Sequence, residues 1–221
     1  MRNGGINMGK SIYWIKRGIR CSLSIVIAIA IYTLFMSSIS GAFTLDDAIN
    51  AAMTYGLCMS TMLLFINNMS TNAFFSKLAI SMGETRRNCH IGINTSNITY
   101  VLFNIIIFTA LFIFKNNNDI SLSKQLYLIF SIYLLAIGCG MCICCANKTI
   151  NSKYNTLQVF LIIVSFFTVF IASIYPGILV KMGSQTFTTI INILILVLGI
   201  ILCIVGNLLM RKKIITLSVQ L

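Results

Sequence analysis

The sequence predicts an all-α, polytopic membrane protein with six transmembrane helices, both termini in the cytoplasm and two amphipathic segments on the cytoplasmic side. Three observations lead to this fold class. The chain of 221 residues is 58% hydrophobic, with a mean hydropathy of +0.94. Six stretches contain no Asp, Glu, Lys or Arg, and each is long enough to cross a bilayer. The sixteen basic residues lie almost entirely between these stretches, on alternate sides.

The six uncharged stretches define the predicted spans. About 20 apolar residues, each rising about 1.5 Å, cross the hydrocarbon layer, so every stretch holds one helix and some turn residues. We predict spans at about 21–41, 48–68, 95–114, 125–146, 156–179 and 186–210. They consume most of the chain, so we treat 1–221 as a single transmembrane domain without a large aqueous catalytic domain. We expect no cleavable signal peptide, because the first apolar segment is long and lacks a small-residue cleavage site.

The basic residues determine the predicted orientation. With the amino terminus in the cytoplasm, thirteen of the sixteen face inside and three, Lys115, Lys124 and Lys181, face outside. Three of the four acidic residues then fall outside. The net charge of +12 is accounted for by anionic lipid headgroups, which contribute about 1 kcal/mol per cation near the surface. We therefore expect contact with membrane lipid and no nucleic-acid partner.

Asp46 and Asp47 stand at the start of the second span, where negative charge offsets the positive end of the helix dipole. We interpret them as caps. A catalytic carboxylate pair is the alternative, but adjacent helical residues point about 100° apart and no third acid is near. No Asp, Glu, Lys, Arg or His side chain is predicted at bilayer depth, where proton-coupled carriers and intramembrane hydrolases need such groups. We expect this chain not to be an enzyme.

The segment 70–90, between the second and third spans, is predicted to be cytoplasmic. Ser70 and Thr71 are good amino-terminal caps, and Gly83 is placed to end a short helix. Apolar residues recur at spacings of three and four, which makes one side of this helix apolar: Phe74, Phe75, Leu78, Ala79 and Met82. A polar, basic stretch follows. The residues alone leave two interpretations equal, a helix lying on the membrane or a docking helix for a cytoplasmic protein.

Residues 10–20 predict a second amphipathic piece, an interfacial helix before the chain turns into the first span. Isoleucines alternate there with basic residues, and tryptophan is a typical anchor at the membrane interface. The residues assigned to this helix are Trp14, Lys16, Arg17 and Arg20.

The basic interfacial helix, the six spans and the segment that ends in Met82-Gly83-Glu84-Thr85-Arg86-Arg87 stand in a recognisable order. This order resembles the permease subunit of an ATP-binding-cassette transporter of the ABC-2 type, in particular the small permeases of low-GC Gram-positive bacteria. The topology match covers the whole chain, and the local match only this short stretch. The resemblance implies a coupling helix that sits in a groove on the ATPase. It assigns coupling to Phe74, Phe75, Leu78, Met82, Gly83, Glu84, Arg86 and Arg87.

The resemblance also implies a function. The chain would be a multi-pass permease subunit in the bacterial plasma membrane, paired with itself or a sister subunit and driven by separate cytoplasmic ATPase subunits. Those subunits would carry the ATP and magnesium, so this chain would hold no cofactor, metal or catalytic residue. The cargo would be an amphipathic peptide, an antimicrobial or a lipid-like molecule, exported or cleared. The alternative class is a non-transporting membrane protein for immunity or sensing, which binds a partner without an ATPase.

Two further motifs have structural explanations. Gly4–Ser11 satisfies G-x-x-x-x-G-K-S, but the helix that follows enters a membrane instead of a sheet domain, so we interpret the match as accidental. The cluster of Cys139, Cys142, Cys144 and Cys145 lies on one helix, which cannot wrap four sulfurs around one ion. We expect packing there, as we do for the glycines of the spans. Neutral side chains such as those of Asn104 and Asn207 are expected to bond across helix interfaces.

Overall fold

The structure is a computed structural model that describes residues 8–40, 44–70, 76–81, 83–115, 122–146, 160, 162–172, 174 and 185–216. Every element in these ranges is a helix, so the predicted all-α class is confirmed for this part of the chain. The helices are α1 (Met8–Ser40), α2 (Leu45–Ser70), α3 (Ser76–Ser81), α4 (Arg86–Lys115), α5 (Leu122–Ala146), α6 (Ile162–Ala172) and α7 (Gln185–Thr216).

Three of the described helices are long and apolar enough to cross a membrane. The qualifying stretches are Arg86–Ile113, Gln125–Cys145 and Thr189–Ile215. Many large apolar side chains on α4, α6 and α7 are exposed, for example Ile106, Phe167 and Leu208. Burial of such surface in lipid instead of water is favourable, so these helices suit a membrane location.

α5 lies at the centre of the helix assembly, packed against α7 on one side and α2 on another. Its small residues allow this close approach. A Cβ added at Gly138 would come within 2.7 Å of the backbone of Leu202 and Cys203 on α7. At Gly140 it would come within 2.8 Å of the Phe65 carbonyl oxygen on α2. The expectation that glycines serve helix packing is confirmed at these positions.

Neutral polar side chains join the helices inside the bundle. Asn104 donates from Nδ2 to Ser22 Oγ at 2.9 Å, which links α4 to α1, and Asn94 donates to Asn207 Oδ1 at 3.2 Å, which links α4 to α7. The expected cross-helix bonds of Asn104 and Asn207 are therefore confirmed. In an apolar interior such bonds satisfy groups that would otherwise lose their water.

A second chain of buried bonds joins α2, α4 and α5. The Tyr100 hydroxyl donates to the Ser60 carbonyl oxygen at 2.7 Å, and the Ser60 hydroxyl lies 2.7 Å from that of Tyr133. Asn97 donates from Nδ2 to Asn68 Oδ1, also at 2.7 Å. All five residues are buried.

The amino-terminal end of α2 carries a capping box. Thr44 precedes the helix, and its hydroxyl accepts a hydrogen bond from the Asp47 amide at 3.2 Å. The Asp47 carboxylate accepts from both the hydroxyl (2.6 Å) and the amide (3.2 Å) of Thr44. This reciprocal pattern satisfies two amides that the helix itself leaves unpaired. The interpretation of Asp47 as a cap is confirmed.

α1 differs from its prediction. Residues 10–20 are not a separate interfacial helix that turns into the first span, because α1 runs without interruption from Met8 to Ser40. It contains no proline, and its glycine at position 18 serves close packing: a Cβ there would lie 2.7 Å from the Ser96 carbonyl oxygen on α4. Nothing in the sequence of α1 therefore breaks the helix.

The segment 70–90 also differs in its boundaries. Ser70, predicted to cap the helix that follows, is the last residue of α2, while Thr71, Phe74 and Phe75 lie outside the described residues. Within the described residues, the short helix α3 covers Ser76–Ser81. Residues from Arg86 onward belong to α4, which begins well before the predicted span at 95–114. Thr85 caps this early start, because its hydroxyl accepts a hydrogen bond from the Asn88 amide at 3.3 Å.

Gly83 ends α3 as predicted. Its φ of +82° lies in the left-handed region that glycine enters without steric cost. The Gly83 amide donates to the Ile80 carbonyl oxygen and the Glu84 amide to the Ala79 carbonyl oxygen, each at 3.0 Å. These two bonds form a Schellman motif, which satisfies the last carbonyls of the helix. The turn fixes the direction in which Glu84 leaves α3.

Candidate functional site

The candidate site lies at what we call the basic end of the bundle, where α1 and α4 begin and α2, α5 and α7 end. Long-range contacts between these termini place them together. Of the residues assigned to coupling, Phe74, Phe75 and Met82 lie outside the described residues, and Leu78 lies within α3. The remaining assigned residues fall into two groups with different neighbours.

The first group joins α1 to the turn after α3. The indole Nε1–H of Trp14 donates to Glu84 Oε1 at 3.1 Å, across 70 positions of sequence. A hydrogen bond to a charged acceptor is worth about 1.5–3 kcal/mol. The predicted interfacial helix and the predicted coupling segment are therefore in direct contact.

The sequence suggested that Trp14 anchors the chain at the membrane interface. In the structure the residue is buried instead, with only 2% of it exposed. Its ring occupies the space above Gly92 on α4, where an added Cβ would come within 2.3 Å of the indole nitrogen. Cys89, one turn before Gly92, is also buried. The missing side chain at position 92 creates the pocket that takes the indole, and this contact holds the start of α1 against the start of α4.

Arg17 completes this group on the side of α2. Its Nη2 donates to Asn67 Oδ1 at 2.8 Å, and its guanidinium carbon lies 5.5 Å from the centroid of the Trp14 ring. Burial lowers the pKa of Arg17 from its ordinary value, and the neighbouring Cys21 and Tyr13 partly oppose this effect. An arginine keeps its charge at neutral pH despite such a shift. Lys16 and Arg20, the other basic residues assigned to this helix, are exposed.

The second group faces α7 instead of α1. Arg86 and Arg87 form the first turn of α4 and are exposed. The Arg86 guanidinium donates to the carbonyl oxygen of Ile215, near the end of α7. The arginines and Glu84, assigned together to coupling by the family resemblance, therefore have different neighbours.

Close to this second group, α7 also contacts the carboxyl end of α5. The Lys213 ammonium donates to the Cys144 carbonyl oxygen, and its Nζ lies 3.5 Å from the Cys144 sulfur. A cation at a helix carboxyl end offsets the negative end of the dipole. The other cysteines of the cluster pack in the same region, with the Cys142 thiol 3.5 Å from the Leu202 carbonyl oxygen. Among the described residues, no three His, Cys, Asp or Glu side chains converge in a way that could hold a metal ion.

Sequence reasoning missed Asn67, Gly92, His90 and Arg211 as parts of the basic end. The asparagine pair at 67 and 68 carried a signal, because two adjacent amides near the end of an apolar run require partners. Gly92 carried none, since a glycine in a helix reveals nothing about the ring that covers it. The comparisons with known proteins add no identification: no family model, curated protein or solved structure matches the chain.

Proposed function

We propose that this chain is the membrane-spanning permease subunit of a transporter powered by separate cytoplasmic ATPase subunits. In this proposal six helices cross the bacterial plasma membrane, the basic end faces the cytoplasm, and a second permease subunit completes the pathway. The cargo is an amphipathic peptide, an antimicrobial or a lipid-like molecule. The family resemblance of the sequence motivates this function, and one contact of the structure supports it.

That contact is the bond from Trp14 to Glu84. A coupling segment needs a rigid connection to the helices that move, because a flexible loop dissipates displacement. Here the Schellman turn at Gly83 sets the direction of Glu84, and Trp14 ties Glu84 to α1. α1 has 33 residues and therefore extends about 50 Å at 1.5 Å per residue. A displacement applied at α3 would reach the far end of the bundle through this one helix.

The alternative function, a non-transporting immunity or sensor protein, has one observation in its favour. The buried bonds among Ser60, Tyr100 and Tyr133 hold α2, α4 and α5 in one arrangement. A transporter that alternates between two arrangements must either break these bonds or move the three helices as one body. A binding protein has no such requirement. The two functions differ in whether an ATPase partner is needed.

The test begins with gentle purification of the tagged protein from its native membrane and an assay of co-eluting proteins for ATPase activity. We expect an ATPase to co-elute. Trp14→Phe removes the indole N–H but keeps an aromatic ring above Gly92, so it should weaken association of the ATPase by up to about tenfold, the loss of one charge-assisted bond. Glu84→Gln keeps an acceptor oxygen and should retain most of the association.

Tyr13→Phe is the matched control, because Tyr13 is the exposed neighbour of Trp14 and the change again removes one polar hydrogen. It should leave association unchanged. Thermal unfolding of all three variants separates loss of coupling from loss of folding. If no ATPase co-elutes from the native membrane, the permease proposal fails and the partner-binding alternative stands. Equal association in wild type and Trp14→Phe would remove the role given to this contact.

A further inference from the structure

A cavity opens at the basic end, between the first turns of α4 and the last turns of α7. Its volume is about 590 Å³. It is separate from the Trp14–Glu84 contact, which lies between α1 and the turn after α3. The described residues that line it are Arg86, Arg87, His90, Ile91, Arg211, Ile214 and Ile215.

The charge of this cavity is of one sign. Three of the lining residues are arginines, and none of those described is acidic. Like charges gathered around a cavity repel each other unless an anion lies between them. The hydrogen bond from Arg86 to the Ile215 carbonyl oxygen fixes one of the guanidiniums at the wall. Guanidinium groups match the paired oxygens of phosphate and carboxylate geometrically.

The side chain of His90 also lines the cavity. The Nε2 atom of His90 is buried and has no hydrogen-bond partner among the residues that the structure describes. A buried polar atom without a partner costs about 1–3 kcal/mol. Rotation of the His90 ring toward the cavity would bring Nε2 to an oxyanion there and supply that partner.

The remaining walls indicate that the ligand also has an apolar part. Ile91 and Ile215 are 45% and 54% exposed beside the cationic groups. Both helices carry stretches long enough to cross a membrane, Arg86–Ile113 and Thr189–Ile215, and the cavity lies at the ends of these stretches. The ends of such helices lie at the depth of lipid headgroups. A free anion would use the cations alone, whereas a phospholipid would use the cations and the isoleucines.

We propose that this cavity binds the phosphate of an anionic phospholipid, with Arg86, Arg87, Arg211 and His90 around the headgroup and the isoleucines against its glycerol and acyl portion. The site does not include Trp14 or Glu84, which carry the proposed function, and it would serve a permease and a partner-binding membrane protein equally well.

The experiment measures lipid binding to the full chain. Purified protein is reconstituted in nanodiscs of phosphatidylcholine with increasing phosphatidylglycerol, and retained lipid is counted by native mass spectrometry. We expect phosphatidylglycerol to be retained preferentially. Arg211→Gln should weaken this retention by about tenfold, the effect of removing one charge-assisted contact. His90→Phe should also weaken it, because the ring is kept and the polar nitrogen is lost.

Lys212→Gln is the matched control, since it removes one positive charge from the adjacent, exposed position outside the cavity wall. Its retention of lipid should stay within about twofold of wild type, in line with weak screened surface electrostatics. Equal losses in Arg211→Gln and Lys212→Gln would indicate general surface attraction and overturn the site. If Arg211→Gln does not accumulate, Arg211→Lys takes its place. Because Arg211→Lys keeps the positive charge, normal lipid retention in this variant would attribute the failure of Arg211→Gln to a folding defect.

Competition with inorganic phosphate distinguishes a site for a lipid headgroup from a site for a free phosphate ion. Because it lacks the apolar part, phosphate at millimolar concentration should displace little phosphatidylglycerol. Full displacement by phosphate, or equal retention of phosphatidylcholine and phosphatidylglycerol by the wild type, would overturn the assignment to an anionic lipid.

Discussion

The interior of the bundle and the ends of its helices are held by different interactions. In the interior, α5 contacts α7 and α2 through glycines and neutral hydroxyl and thiol groups, and 78% of its most apolar stretch is buried. At the helix ends, a charged side chain forms a hydrogen bond with a neutral one: Arg17 with Asn67, Glu84 with Trp14, and Asp47 with Thr44. The difference indicates that the interior should be sensitive to side-chain volume and the ends to charge.

The largest effect is expected from added volume in the interior. Gly138→Ala places a Cβ within 2.7 Å of backbone atoms of α7, which cannot rotate away as a side chain could. Overpacking of this kind costs about 1–3 kcal/mol. We expect a lower thermal unfolding midpoint in detergent and faster proteolysis between α5 and α7.

The control for this prediction is Ile204→Val on the exposed face of α7. It changes volume by one methylene without touching α5 and should leave the midpoint nearly unchanged. If Gly138→Ala unfolds at the same temperature as wild type, the close packing of α5 on α7 does not limit stability.

An intermediate effect is expected from the buried amide pair that joins α2 to α4. Asn68 and Asn97 form a double-mutant cycle with Asn68→Ala, Asn97→Ala and the double variant. Bonds of this kind between membrane helices contribute about 0.6–2 kcal/mol. We expect a coupling free energy of about 1 kcal/mol in unfolding measurements. Thr95→Ala serves as the control, since its hydroxyl bonds only to the Ile91 carbonyl oxygen of its own helix.

A coupling energy of zero between Asn68 and Asn97 would mean that each amide finds another partner once the first is removed. The interior would then be held by packing alone, and the polar bonds inside it would be incidental.

Local chemistry made part of this architecture predictable from the sequence. Gly83 ends α3 because a left-handed backbone position favours glycine. Asp47 caps α2 because Thr44, three positions earlier, is within hydrogen-bonding distance. Both are interactions within a few residues. The uncharged stretches likewise predicted long apolar helices, because composition alone determines whether a helix suits lipid.

Interactions between distant residues were not predictable in the same way. Trp14 was expected at the membrane interface, and the gap above Gly92 that buries it is formed by another helix. The continuity of α1 was missed because an amphipathic segment and an apolar span can share one helix without any break signal. Arg86 was grouped with Glu84 by the family resemblance, but Arg86 donates a hydrogen bond to the carbonyl oxygen of Ile215, which the packing of α7 brings near.

The smallest effect is expected at a helix end, where the comparison predicts sensitivity to charge. The hydrogen bonds from the Thr44 hydroxyl and amide hold the pKa of the exposed Asp47 below its ordinary value of 3.8. A lowered folded-state pKa means that the cap stabilises α2 above the unfolded pKa and that this contribution is lost as pH falls through the folded pKa. We expect fraying of the first turn of α2 only under acidic conditions below that ordinary value. Carboxyl titration by NMR should show the pKa of Asp47 rising toward 3.8 in Thr44→Val. An unchanged Asp47 titration in that variant would show that the threonine hydroxyl does not bond to the carboxylate. The first turn of α2 would then gain no stability from this hydrogen bond.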